Sequence, residues 1–128
     1  MNMLSLMYVG IGGAVGSMSR FALMSLIGRY NNSTFPLGTL TVNLAGSFLL
    51  GVLIAVIALM LPNKGKDLHL LVAVGFLGGF TTFSAFSMDA YLLIEKGLHV
   101  QAMLYVFTSI VVSVLALLGG MWMVKLVA

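Results

Sequence analysis

Four long apolar runs fill almost the whole sequence and restrict it to one class of fold. The runs cover residues 3–27, 37–61, 68–94 and 100–127. A bilayer core about 30 Å thick is crossed by about 20 helical residues, so each run is long enough to span it. Hydrophobic residues make up 61% of the 128 residues and charged residues only 7%. We therefore expect residues 1–128 to form a single transmembrane domain, an all-α integral membrane protein of four transmembrane helices.

The third run contains a segment that is unusually rich in glycine and hydroxyl residues. It reads Gly75-Phe-Leu-Gly-Gly-Phe-Thr-Thr-Phe-Ser-Ala-Phe-Ser-Met-Asp89. Each glycine lowers helix stability by about 1 kcal/mol relative to alanine, and threonine hydroxyls compete for backbone hydrogen bonds. We expect the third helix to be broken at its middle, between Gly78 and Thr82. Lipid cannot satisfy the freed backbone groups, so the break must be buried in protein, line a watery cavity or hold an ion.

Further polar residues extend this segment into a polar face. The fourth run carries four hydroxyls at offsets 0, +3, +4 and +8, which share one helical stripe; they belong to Tyr105, Thr108, Ser109 and Ser113. The third run adds the hydroxyls of Thr81, Thr82, Ser84 and Ser87. Donors without rings of carboxylates suit a partly dehydrated anion better than a cation. Asp89 is the one carboxylate of this face, and it lies toward one end.

Three features of the face have both a structural and a functional interpretation. Arg20 is either an interfacial arginine that snorkels to the headgroups or a cation in a watery vestibule. Asn43 either makes an interhelical hydrogen bond or lines the path. Phe83 and Phe86, at positions i and i+3, either pack in the protein or present positive ring edges to an anion. The residues alone leave these alternatives open.

The charges flanking the runs give almost no preferred orientation in the membrane. With the N-terminus inside, three basic residues lie on each side: Lys64, Lys66 and Lys125 against Arg20, Arg29 and Lys96. The positive-inside rule then gives little bias, and both orientations are accessible. We expect an antiparallel, dual-topology homodimer, in which a second copy shields the polar face from lipid. No nucleophile–base pair, phosphate-binding loop or metal-binding histidine pair occurs, so we expect no enzyme. The sequence has no basic face, so we expect no nucleic-acid partner.

At these residues the sequence resembles the Fluc/CrcB family of fluoride channels. The third-run segment is similar to the family signature G-F-x-G-G-x-T-T-F-S-T-F-S-x-E. Two further matches are Gly12-Gly-Ala-Val-Gly-Ser-Met-Ser-Arg20 and Pro36-Leu-Gly-Thr-Leu-Thr-Val-Asn-Leu-Ala-Gly46. The resemblance implies a fluoride-selective channel of the bacterial inner membrane, multi-pass and dimeric, that lets cytoplasmic fluoride leak out and so limits its toxicity.

The resemblance also implies roles for individual residues. Those of the pore are Asn43, Phe83, Phe86, Ser84, Tyr105, Ser109 and Ser113. Arg20 matches the vestibule arginine, and the backbone carbonyls of Gly78 and Thr81 would hold one structural sodium ion at the dimer centre. Two positions depart from the signature: Ala85 replaces a threonine, and Asp89 replaces a glutamate. The resemblance implies a gating or relay role for Asp89.

Two other functions compete with the channel. A small four-helix, dual-topology multidrug or cation exporter needs a membrane-embedded carboxylate in the first run. No acidic residue occurs between Met1 and Tyr30. A non-transporting assembly subunit would account for the glycines, but it would leave the aligned hydroxyls and Arg20 unexplained.

Overall fold

The computed structural model describes all 128 residues, and every regular element in it is a helix. Four helical spans are long and apolar enough to cross a membrane: α1 (Met3–Tyr30), α2 (Leu37–Met60), a third span (Gly65–Glu95) and a last one (His99–Val127). The four-helix prediction is confirmed, and the chain is a multi-pass membrane protein. The first span extends beyond residue 27 to Tyr30, and the third begins at Gly65, before residue 68.

The third span is divided by a break that the sequence placed correctly. It consists of α3 (Gly65–Leu68), a π-helical segment (His69–Leu77), α4 (Gly78–Phe80) and α5 (Phe83–Glu95). The last span is α6. Between α4 and α5, Thr81 and Thr82 are extended, with φ/ψ of −82°/156° and −150°/121°. The break therefore falls within the interval from Gly78 to Thr82.

The π-helical segment was not expected from the sequence. Its hydrogen bonds run from residue i+5 to residue i, and the Gly78 N–H that closes it reaches the Ala73 carbonyl. Segments of this kind often occur at functional sites. The residues His69–Leu77 are almost uniformly apolar, so their pattern does not reveal which helical repeat they adopt.

The helices pack as two close pairs. α1 lies along the π-helical segment and α4, while α2 lies along α6. A Cβ atom on Gly16 would collide with the backbone of Phe76, and one on Gly51 would collide with the backbone of Leu117. Small residues allow this approach of helix backbones, which provides dispersion contacts in lipid where no hydrophobic driving force exists.

A small buried core joins the second half of the third span to α6. Leu93, Ala102 and Tyr105 form it, and the Tyr105 side chain is fully buried. Gly97, with φ of 76°, makes the turn between α5 and α6. Outward-facing side chains such as Phe21, Phe107 and Trp122 are 64–75% exposed, as expected for residues that contact lipid.

Candidate ion path

A groove of about 430 Å³ lies where the break in the third span faces α2 and α6. Its polar lining residues are Asn43, Ser47, Thr81, Thr82, Ser109 and Ser113. Phe83 and Phe86 lie along it together with glycine, alanine and aliphatic residues. The lining contains no Asp, Glu, Lys or Arg. Dipolar donors and aromatic rings, with no formal charge, surround the space.

Asn43 connects α2 to the backbone of the break. Its Nδ2 donates to the Thr82 carbonyl at 3.0 Å, and its Oδ1 accepts from the Thr82 N–H at 2.7 Å. One side chain thus satisfies both polar groups of a peptide residue that has left the helix. This is the interhelical hydrogen bond that the sequence left open for Asn43, and the same residue also lines the groove.

Thr82 also begins the second half of the span. Its Oγ1 accepts a hydrogen bond from the Ala85 N–H at 3.2 Å and therefore caps the N-terminus of α5. Ser84 lies beside it, with 3.2 Å between the two hydroxyl oxygens. Ser84 is exposed and does not line the groove, so its expected place on the ion path stays a prediction.

The break leaves backbone carbonyls without helical partners. Because the Thr82 N–H donates to Asn43, it does not reach the Gly78 carbonyl one turn earlier. The Thr81 carbonyl accepts no hydrogen bond within the chain. Carbonyl oxygens are hard ligands of the kind that a hard cation prefers. No three His, Cys, Asp or Glu side chains cluster as an alternative ligand set. The freed carbonyls of Gly78 and Thr81 thus fit the expected sodium site in their chemistry.

Aromatic rings form a continuous row that begins at the groove. The ring centroids of Phe83 and Phe86 are 5.2 Å apart, and those of Phe86 and Tyr105 are 5.4 Å apart. Phe83 is 78% exposed, although it stands in the middle of a membrane span. The two phenylalanines are therefore in contact and border the groove, but Phe83 has little protein around it.

Two of the four α6 hydroxyls that the sequence placed on one stripe border the groove, and Thr108 does not. Ser109 and Ser113 line the groove, and the Ser109 hydroxyl is buried without a hydrogen-bond partner. Tyr105 lies beyond the groove, where its hydroxyl donates to Asp89 Oδ2 at 3.2 Å. The carboxylate at the end of the polar face is thus held by a phenol from the neighbouring helix.

Arg20 lies on α1, away from the groove. The residue is half-buried, and its Nε atom is buried without a hydrogen-bond partner. The structure therefore does not bring Arg20 together with the other candidate residues, and its vestibule role stays a prediction.

Ser47 belongs to the groove and was not among the candidate residues. It follows Asn43 by four residues on α2, and the buried Thr39 precedes Asn43 by four. This i, i+4, i+8 spacing places all three on one face of a helix. Polar residues at helical spacing indicated the stripe in the fourth run, and the same spacing in the second run would have identified Ser47.

Comparison with known proteins agrees with this architecture. A family model described as CrcB-like protein, Camphor Resistance (CrcB), matches residues 7–121. The fluoride-specific ion channel FluC of Chelativorans sp. (strain BNC1) is 44% identical over 123 residues, covering 96% of this chain and 98% of the relative. The protein of the same name from Agrobacterium fabrum (strain C58) is 41% identical, covering 93% of this chain and 94% of the relative. The one from Rhizobium leguminosarum bv. trifolii (strain WSM2304) is 40% identical, covering 98% of this chain and 100% of the relative. These matches span all four helices and the break, and the chain therefore belongs to the CrcB-like family.

Proposed function

We propose that this protein is a fluoride-selective channel through which cytoplasmic fluoride leaves the cell passively, which limits its toxicity. The groove carries the proposal: it combines hydroxyl and amide groups with phenyl rings and has no charged side chain. Relatives of nearly the same length are named fluoride-specific ion channels.

The chemistry of the lining favours a small anion. Carboxylate rings would attract cations, and the groove has none. Hydroxyls replace part of the hydration shell of an anion by donating hydrogen bonds. The Ser109 hydroxyl is buried and has no hydrogen-bond partner within the chain. Phe83 and Phe86 can add the weakly positive edges of their rings.

We propose further that two copies assemble in antiparallel orientation. Three residues near the break are exposed in the single chain: Gly78, Phe83 and Ser84. Lipid cannot hydrogen-bond to polar groups at membrane depth, so a protein surface is needed against this face. The near-equal charges on the two sides allow a second copy to insert the opposite way. Its groove would then face the first across a two-fold axis.

The dimer axis also gives a rationale for a structural sodium ion. Two carbonyl ligands from one chain make an incomplete shell for a hard cation, and two from a second copy would double the number. The carbonyls of Gly78 and Thr81 would hold the ion, and its charge would offset the repulsion between facing carbonyl dipoles. The role proposed for sodium is therefore in assembly.

Efflux from proteoliposomes tests the channel directly. Vesicles loaded with potassium fluoride or potassium chloride are diluted into impermeant salt, valinomycin is added, and anion release is read with ion-selective electrodes. We expect rapid release of fluoride and retention of chloride. Equal loss of both anions would contradict selectivity. Proton-coupled uptake of a cationic drug without fluoride release would support the exporter.

Assembly is tested separately from transport. A C-terminal tag in inner-membrane vesicles should be accessible to protease on both faces, and cross-linked protein should run as a dimer. Labelling from one face alone would contradict the antiparallel arrangement. Replacing sodium with N-methyl-D-glucamine during purification should convert dimers to monomers, and a dimer that persists unchanged would contradict the sodium site.

A further inference from the structure

The loop between α1 and α2 has a defined conformation held by side-chain hydrogen bonds. Asn31 Nδ2 donates to the Phe35 carbonyl at 2.8 Å, and Asn31 Oδ1 accepts from the N–H and hydroxyl of Ser33. Thr34 Oγ1 donates to Gln101 Oε1 on α6 at 2.9 Å. The bonds fix the loop to itself and to the start of α6.

This loop directs one aromatic ring inward. The Phe35 ring meets the Tyr105 ring edge to face, with centroids 5.7 Å apart and planes at 90°. Tyr105 also contacts Phe86, so the row of rings from Phe83 continues through Tyr105 to the loop. Phe35 is the only member of the row that does not belong to a membrane helix.

The position of the Tyr105 hydroxyl depends on how its ring is packed. The side chain is fully buried, and its hydroxyl donates to Asp89 at 3.2 Å. A tyrosine has only two side-chain torsions, so contacts on the ring determine where the hydroxyl points. Phe35 and Phe86 are the rings in contact with it. Removing Phe35 would leave a void beside Tyr105 that its ring could turn into.

We propose that Phe35 is a positioning residue: the loop holds it against Tyr105 and thereby keeps the Tyr105 hydroxyl on Asp89, at the end of the ion path. The inference rests on the proposed channel function. Phe35 itself does not line the groove. It determines which groups at this end are available, because the phenol of Tyr105 occupies one acceptor oxygen of Asp89, the only carboxylate on the polar face.

The first test is a double-mutant cycle on fluoride efflux, with Phe35→Leu, Tyr105→Phe and the combined variant. Phe35→Leu should change efflux by between about twofold and tenfold, the range that corresponds to the loss of one aromatic pair. In the Tyr105→Phe background the same substitution should have no further effect, because no hydroxyl remains to be positioned. Additive effects of the two substitutions would overturn the proposal.

The second readout does not depend on transport. Tyrosine labelled with ¹³C at Cζ reports the hydrogen bond of each phenol by NMR, and the Tyr105 signal is assigned from the Tyr105→Phe variant. Phe35→Leu should shift this signal, and Phe35→Tyr, which keeps a ring, should restore it. Phe107→Leu is the matched control, because Phe107 is on α6 but 66% exposed. An unchanged Tyr105 signal in Phe35→Leu would overturn the proposal.

The two readouts separate this inference from the channel function. If wild-type protein releases no fluoride, the proposed function fails, while the NMR comparison still decides whether Phe35 positions Tyr105. If wild-type protein conducts and the NMR signal does not respond to Phe35, only the positioning role fails.

Discussion

Asn43 and Thr82 pair through two hydrogen bonds, an amide N–H to the Thr82 carbonyl at 3.0 Å and the Thr82 N–H to the amide oxygen at 2.7 Å. The pair closes the gap that the break opens in the backbone ladder of the third span. A broken helix in a membrane therefore has a specific protein partner at its exposed peptide. The same asparagine borders the groove, so one side chain combines an observed structural role with a proposed role in transport.

Asn43→Asp tests both the hydrogen bond to Thr82 and the proposed role in transport. The carboxylate can still accept from the Thr82 N–H, but it cannot donate to the Thr82 carbonyl, and it adds an acid to an uncharged groove. Leaving a buried carbonyl unpaired costs about 1–3 kcal/mol. We expect a lower unfolding midpoint in detergent and strongly reduced fluoride efflux. Asn63→Asp, in the exposed loop after α2, is the control. Undiminished efflux in Asn43→Asp would place Asn43 outside the path.

Phe83→Ile and Phe86→Ile test the ring edges. Isoleucine retains an apolar side chain but has no quadrupole, so an anion loses its weak contacts. Each substitution should lower fluoride efflux more than about tenfold, a barrier increase of about 1.4 kcal/mol, without altering the elution volume in size-exclusion chromatography. Phe21 lies on α1 and is 75% exposed, so the control variant Phe21→Ile should conduct normally. Normal efflux from both Phe83→Ile and Phe86→Ile would rule out the ring-edge contacts.

Gly16→Ala tests the contact between α1 and the third span. The new methyl would meet the Phe76 backbone, which cannot move independently of its helix. Overpacking of this kind costs about 1–3 kcal/mol. Gly10→Ala is the matched control, since nothing lies within 4 Å of its added Cβ; it should leave stability unchanged or raise it by up to about 1 kcal/mol. Equal thermal unfolding midpoints for the two variants would contradict the packing described for α1.

Thr82→Val tests the cap of α5. Valine keeps the shape of threonine but cannot accept from the Ala85 N–H, and loss of an N-cap costs about 0.5–2 kcal/mol. We expect a lower unfolding midpoint, with Thr82→Ser close to the wild type. Thr41→Val, on the exposed side of α2, controls for loss of a hydroxyl alone. Equal unfolding midpoints for Thr82→Val and Thr41→Val would show that the cap contributes nothing to stability.

Much of the fold could be predicted from the sequence because the bilayer imposes strict lengths and leaves few charged residues. The four spans and the break between Gly78 and Thr82 follow from apolar length and from glycine and threonine content. The grouping of Asn43, Phe83, Ser109 and Ser113 around one groove also agrees with the polar periodicity. Their roles in conduction stay predictions.

Other features depend on packing that no local pattern encodes. The π-helical segment lies in a uniformly apolar run, where a helical repeat has no polar face to mark it. The contact of Phe35 with Tyr105 joins a loop to a helix far along the chain. Arg20 on α1 does not line the groove, and nothing in the sequence around it decides between an interfacial and a vestibule position. Such relationships follow from the arrangement of whole helices.

The pairing of Asn43 with Thr82, 39 residues further along the chain, also bears on biosynthesis. Translation runs from the N-terminus, so α2 reaches the insertion machinery ahead of the threonine pair. The amide is thus already in the bilayer when the unpaired peptide arrives and can bind it at once. The order of the helices thus lets the Thr82 peptide enter the membrane after its partner Asn43. If the two helices were made in the reverse order, this peptide would be exposed to hydrocarbon during synthesis.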